Sequence, residues 1–522
     1  MTIREWIPSR RWDLIRRDGT AAVLIAAFSV ASTFFGFIRE MAIARVYGVT
    51  AHTDAFFAAF TLISFLFFLF AGGAVQNSFM PTYQSRIENN EQNLAAPLLR
   101  WVTLRIGLLT STLALILFLS AEEVVRFVYS GFDEGAVDAA TTMTRILCPL
   151  IVLASLGNVA QAVLHSQRRF FIPAMIPAAS NIIIISGILG LGWRFGIFSL
   201  AISYVLGYIL WILLFFFIFT SFRSSKEPIS NLDRRFVTGS FIFLSSLIIF
   251  DQLSGLVQRS LLSQFEPGLI SAFTFGTRIA GLPVGILAGA LAIVLFPQLI
   301  SYINTPPKDS SRSLISFGAI IMLTLILPPA IFLVLESSVV ASTFLGPSSR
   351  SASAVANMAQ IITIYAASLP AQAMILYLGK VYVAAGQAAK LLIISVAAGS
   401  VQIVLTFVLS STIGWTGIPL ATLVYAYLHT SLLLFWLFRF VDTDRRTTLK
   451  TLKSLTTVLG AGFVSALIWL APLEPTLIST IARGVIFILL YGFILGISGE
   501  RAVLELFRRP RRRQLLNTPP LR

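Results

Sequence analysis

Arg39, Glu40 and Asp54 stand in sequence apolar enough to lie in a bilayer. The stretch reads G-F-I-R-E at Gly36–Glu40, T-D-A-F-F-A-A-F at Thr53–Phe60, and A-G-G-A-V-Q-N-S-F-M-P at Ala71–Pro81. An ionisable group at membrane depth costs roughly 2.5–3.5 kcal/mol on insertion scales, so it faces a bundle interior or a water-filled cavity and marks a site. A guanidinium in such a place forks onto phosphate or carboxylate oxygens. The bland alternative is a structural pair, Arg39 neutralised by Glu40 or Asp54. Arg278, in S-A-F-T-F-G-T-R-I-A-G-L-P, is the corresponding cavity cation in the second half of the chain. Asp251 and Arg259 lie a little over two helical turns apart, on similar faces but too distant to pair directly. Asp251 suits a coupling cation or an arginine from elsewhere, whereas Arg259 is close enough to a span end to snorkel. Arg105, Arg145 and Arg483 also fall in or near apolar runs, and this excess of cations over acids suits an anionic ligand.

Other chemistries have no residues to rest on. The single cysteine, Cys148, can build neither an intrachain disulfide nor a metal site. The three histidines, His52, His165 and His429, are far apart and match no metal-ligand spacing. There is no nucleophile motif, P-loop or dinucleotide fingerprint. The chain is therefore expected not to be an enzyme and to need no cofactor beyond a possible coupling cation, Na+ or H+.

The elements that position these residues follow from composition. Of 522 residues 56% are hydrophobic and 12% charged, with a mean hydropathy of +0.85, against about 25% charged residues in a soluble domain. This is an all-α polytopic membrane protein. Apolar runs long enough to cross a ~30 Å hydrocarbon core recur about fourteen times. They lie near 21–44, 54–80, 101–121, 141–164, 171–193, 196–220, 236–260, 269–302, 314–336, 354–383, 388–410, 416–438, 452–471 and 476–498. Pro283, Pro297 and Pro370 predict bent helices in the two longest runs.

Charge placement orients the spans. With the N-terminus inside, the cytoplasmic loops collect Arg86, Arg100, Arg168, Arg169, Arg234, Arg235, Lys308, Lys380, Lys390, Arg445 and Arg446, with a basic segment at each end of the chain. The opposite loops hold only Arg45, Arg126, Arg194 and Arg350, and gather Glu122, Glu123, Asp133, Glu134, Asp138, Glu266, Glu336 and Glu474. The net charge of +16 thus reflects orientation and anionic lipid headgroups rather than nucleic acid.

A hairpin is used twice. Gly36–Arg39 followed by Ala71–Pro81 is echoed by G-L-V-Q-R at Gly255–Arg259 and by Leu287–Pro297, and Gly73 and Gly289 each stand eight residues before a proline. The repeat is parallel, and two pseudo-symmetric six-helix lobes around a midplane cavity are a transporter design. The expected organisation is a basic segment at 1–19, an N-lobe at 20–222, a linker at 223–235, a C-lobe at 236–440, a linker with two further helices at 441–498, and a basic tail at 499–522, with both termini cytoplasmic.

G-F-x-R-[DE] at Gly36–Glu40, T-D-A-F-F-x-A-F at Thr53–Phe60, the Gly73–Pro81 motif, R-R-F-x-I-P at Arg168–Pro173 and R-x-x-x-x-P at Arg278–Pro283 together resemble the MviN/MurJ family of lipid II flippases. That family belongs to the multidrug/oligosaccharidyl-lipid/polysaccharide exporter superfamily. The resemblance implies fourteen helices, a bacterial inner-membrane location, and a polyprenyl-pyrophosphate-linked glycan as substrate. It assigns a substrate role to Arg39, Asp54 and Arg278, leaving Glu40, Asp251 and Arg259 as candidate cavity or coupling-ion residues. The chain departs from the family pattern at Thr33, where an arginine is usual, and through Thr61–Gly72, which carries no charge in place of a lysine, an arginine pair and a glutamate. Thr277 and Gly281 stand where acids are common.

Two substrate readings stay open: a different polyprenyl-linked oligosaccharide, such as an exopolysaccharide or O-antigen unit, or lipid II handled with fewer charges. Outside flipping, a cation-coupled small-molecule exporter and a non-transporting scaffold also fit. The expected partners are membrane lipids and the lipid-linked glycan, with the protein acting as a monomer.

Overall fold

In the computed structural model the described residues are 31–70, 73–89, 91–167, 169, 171–220, 229–303, 308–347, 351–440, 445–470 and 476–498. Among them the regular structure is helical throughout. A first helix, α1, covers 31–47. It is followed by α2 (Ala51–Phe70), α3 (Gly73–Glu88), α4 (Gln92–Leu119), α5 (Ala121–Val128), α6 (Glu134–Leu147), α7 (Pro149–Ser166), α8 (Phe171–Phe195) and α9 (Phe198–Thr220). The second half runs α10 (Asn231–Leu262), α11 (Leu269–Pro283), α12 (Gly289–Ile303), α13 (Lys308–Leu335), α14 (Ser337–Leu345), α15 (Ala352–Ala384), α16 (Ala388–Ile413), α17 (Gly417–Phe440), α18 (Arg445–Ala466) and α19 (Leu477–Ile497).

Ten helical stretches among the described residues are long and apolar enough to cross a membrane, against the expected count of about fourteen. Part of the difference is continuity. Residues 388–437 form one apolar stretch containing both α16 and α17, and Phe198–Leu213 is a shorter apolar segment. Large apolar side chains such as Leu108, Leu115 and Phe493 are exposed on these helices, as a hydrocarbon solvent permits.

Local sequence sets the breaks. Pro149 occupies the first turn of α7, where its missing N–H costs nothing, and it separates α7 from α6 at Cys148. Asp133 caps α6 by accepting the Ala136 N–H at 2.7 Å. Thr476 and Ser479 form a reciprocal capping box at the start of α19. The bend expected in 269–302 is a π-helical turn, Val284–Ala288, immediately after Pro283. The chain passes Pro370 within the single helix α15.

The molecule divides into two compact units. The first holds residues to Phe275 together with Phe344–Ala354. Within it α8 packs on α9, α2 on α6, and α4 on α7, while α10, the first helix of the expected C-lobe, lies against α2 and α3. Gly157 lets α7 approach α9, since a Cβ there would sit 2.7 Å from the Trp211 side chain. The second unit holds Gly276–Thr343 and the chain from Val355 onward. There α16 pairs with α17, and α13 packs on α18, which packs on α19.

Candidate functional site

Arg39 reaches into the first unit from α1. Its Nη1 donates to Oδ1 of Asn181 on α8 at 2.8 Å, and its Nη2 donates to Oε1 of Glu40 at 2.7 Å. The guanidinium carbon lies 5.1 Å from the centroid of the Tyr204 ring on α9, in cation–π range. Asn181 is itself steadied by donating to the Ser32 carbonyl at 3.3 Å. The side chains of Arg39 and Glu40 are 17% and 6% exposed. Two polar atoms of this pair, Nε of Arg39 and Oε2 of Glu40, are buried with no hydrogen-bond partner among the described residues. A buried guanidinium with an N–H to spare, beside a carboxylate with an oxygen to spare, is equipped to meet a polar ligand that brings both an acceptor and a donor.

Of the two acids set against Arg39 in the sequence, Glu40 pairs with it and Asp54 does not. Asp54 lies in the first turn of α2, 3% exposed. Its Oδ2 accepts the Gly268 N–H at 2.6 Å and its Oδ1 accepts the Ser271 N–H at 2.7 Å. These amides open α11, so the carboxylate caps that helix from another part of the chain and sits at the positive end of its dipole. Gly268 is required there: its φ is +99°, and a Cβ would meet Val49 at 2.9 Å. At the same unit's α1, Phe344 packs between Phe37 and Phe275, with both centroid distances 5.6 Å, and its carbonyl accepts from Nε of Arg45 at 3.4 Å.

The other candidates are dispersed. Arg259 on α10 donates to the Gly255 carbonyl at 3.1 Å and lies 5.9 Å from the Phe273 ring centroid. Arg278, in the second unit, is exposed and makes no hydrogen bond or ion pair to any described residue. The backbone of Asp251 belongs to α10, and its side chain lies outside the described residues.

Sequence reasoning missed three participants. Asn181 carried a readable signal, an amide inside the apolar run of span 171–193, while Tyr204 is one aromatic among many in α9. Glu336 was placed in an external loop. It does sit at the α13–α14 junction, but it is 3% exposed. Its Oε1 accepts from Trp469 Nε1 at 2.7 Å and from Arg483 Nη1 at 3.1 Å, and its Oε2 accepts from Thr480 at 2.8 Å.

The family model for the lipid II flippase MurJ matches residues 43–489. The chain belongs to the MurJ family. A probable lipid II flippase MurJ of Thermotoga maritima is 28% identical over 406 residues, covering 76% of this chain and 81% of that protein. A lipid II flippase MurJ of Burkholderia cenocepacia is 25% identical over 365 residues, 67% and 70% of the two chains. Among solved structures, a lipid II flippase MurJ in an inward closed conformation superposes with a TM-score of 0.78 at 21% identity, covering 93% of this chain and all (100%) of that one. An inward-facing multidrug transporter of the MATE family gives 0.65 at 14% identity, over 84% and 99% of the chains. The MurJ fold is thus shared across the whole of that solved chain, and more loosely with the wider superfamily.

Proposed function

We propose that the chain flips lipid II, or a related polyprenyl-pyrophosphate-linked glycan, across the bacterial inner membrane by alternating access. The observation that carries this reading is Arg39: a buried guanidinium with an unused N–H, held in place by Glu40, Asn181 and Tyr204, in a member of the MurJ family. Arginine suits a pyrophosphate because it forks onto two oxygens and stays charged at any cellular pH. Arg278 offers a second, uncommitted cation in the other unit.

The second unit also holds an apolar cavity of ≈ 600 Å³ lined by Leu287, Pro328, Phe332, Phe487, Tyr491 and Leu495, a surface that suits a hydrocarbon chain. Asp54 serves the same cycle indirectly, by holding the first turn of α11. Exporting an anion from a negative interior is downhill by roughly 2.3 kcal/mol per charge per 100 mV, so the membrane potential supplies drive, and a Na+ or H+ gradient is the further source to be tested.

The related-glycan reading is favoured by one feature, the absence of any charge from Thr61 to Gly72, most of it on α2. Liposomes containing the purified protein and a fluorescent lipid II test both. Protein-dependent transfer of lipid II between leaflets supports the flippase. Transfer of another lipid-linked glycan but not lipid II supports the related substrate. Transfer of neither, by protein shown to be folded, overturns the proposal.

A further inference from the structure

Arg100 and Arg105 on α4 are both exposed, and neither makes a hydrogen bond or ion pair to any described residue. Their surroundings are nevertheless those of a lipid-facing surface. Leu104 and Leu108 on the same stretch are 53% and 66% exposed, and α4 is a membrane-crossing helix of the first unit. At about 100° per residue the two arginines stand roughly 140° apart on the helix and about 7.5 Å apart along it. They flank the strip formed by Trp101, Leu104 and Leu108. Trp101 is half-buried, packed against the cluster that includes Leu98 and Val102, and the Arg105 guanidinium carbon lies 5.7 Å from its ring centroid. The indole therefore carries the Arg105 cation over its face, and helix periodicity puts Arg100 on the other edge of the strip.

Depth decides what this arrangement meets. The apolar run from Ile106 to Leu119 rises about 21 Å, short of a ~30 Å hydrocarbon core, which sets Arg105 and Arg100 just beneath the boundary at the Gln92 end of the helix. That end is the one the charge asymmetry assigns to the cytoplasm. Lone arginines at such a level can reach water by extending their stems. Here the Arg105 guanidinium leans over Trp101, one turn nearer the Gln92 end, so it extends toward the headgroup layer across an aromatic face.

We propose that Arg100, Trp101 and Arg105 form a binding site for the phosphate-bearing headgroup of an anionic phospholipid in the adjoining leaflet. The two guanidinium groups take the phosphate oxygens, and the indole supports the glycerol backbone at the interface.

The test uses the full-length protein in nanodiscs of mixed phosphatidylethanolamine and phosphatidylglycerol, in which one lipid or the other is brominated on its acyl chains at equal mole fraction. Bromine quenches nearby tryptophans, and the share due to Trp101 is the difference between the parent and Trp101→Phe. Brominated phosphatidylglycerol is expected to quench that share at least about threefold more than brominated phosphatidylethanolamine, and the difference should vanish in Arg100→Gln/Arg105→Gln while the melting temperature stays unchanged.

Equal quenching by the two lipids, or a preference that survives the double substitution, overturns the site and leaves the arginines as snorkelling cations. If Trp101→Phe fails to fold, mass spectrometry of intact complexes decides. The parent should retain phosphatidylglycerol over phosphatidylethanolamine, and loss of that preference in the double variant supports the site, whereas its persistence overturns it. Neither readout requires transport, so the outcome is independent of the flippase proposal.

Discussion

Ser271 donates its backbone N–H to Asp54 at 2.7 Å although the two residues are 217 positions apart in the chain. With the Gly268 amide on the other oxygen, the side chain of α2 replaces the local cap that α11 lacks. Asp54→Ala leaves two buried amides unpaired and should cost about 1–3 kcal/mol. Asp54→Asn retains one acceptor and should cost less. Thermal unfolding of both variants checks this, and an unchanged melting temperature with lost transport would instead assign Asp54 to the substrate or to a coupling ion.

Arg39→Ala leaves Glu40 buried without its counter-charge, and breaking a pair of this kind costs about 3–5 kcal/mol. The folded yield of Arg39→Ala should therefore fall along with transport. Arg39→Ala/Glu40→Gln should recover much of the yield but not the transport, because the cation is still absent. Recovery of both would make the pair purely structural.

Arg278 offers the cleaner separation of binding from folding. It has no described partner to strand, so Arg278→Ala should leave yield and melting temperature unchanged while lipid transfer drops at least about tenfold. Lysine supplies a point charge without the fork, and Arg278→Lys should restore transfer only in part. Full activity of the alanine variant would remove Arg278 from the substrate path.

Orientation can be read by thiol labelling in intact cells. Asp138 and Lys453 are exposed, on helices assigned to opposite faces. An impermeant reagent should label Asp138→Cys and spare Lys453→Cys, both placed in a Cys148→Ser background. Glu336→Cys should label poorly whichever face it belongs to, because that position is buried.

What the sequence conveyed depended on the range of the interaction. Helix type was legible from local pattern. The Arg39–Glu40 pair was legible because its members are adjacent. Asn181 bonds Arg39 across 142 positions, and the amides that hold Asp54 belong to backbone, which carries no residue signature. Glu336 shows the converse error. Charge counting treats an acid between two spans as exposed, whereas this one is enclosed by groups that follow it by more than a hundred positions.

That enclosure bears on how the protein is made. Trp469, Thr480 and Arg483 follow Glu336 by 133, 144 and 147 residues. At about 5–20 residues per second they leave the ribosome roughly 7–30 s after it. During that interval the carboxylate has entered the membrane region without the groups that will satisfy it. α19 is then the step that satisfies Glu336 in the second unit, so a chain stopped before residue 476 should be recognised by quality-control proteases as unfinished even though α1 to α18 have been synthesised.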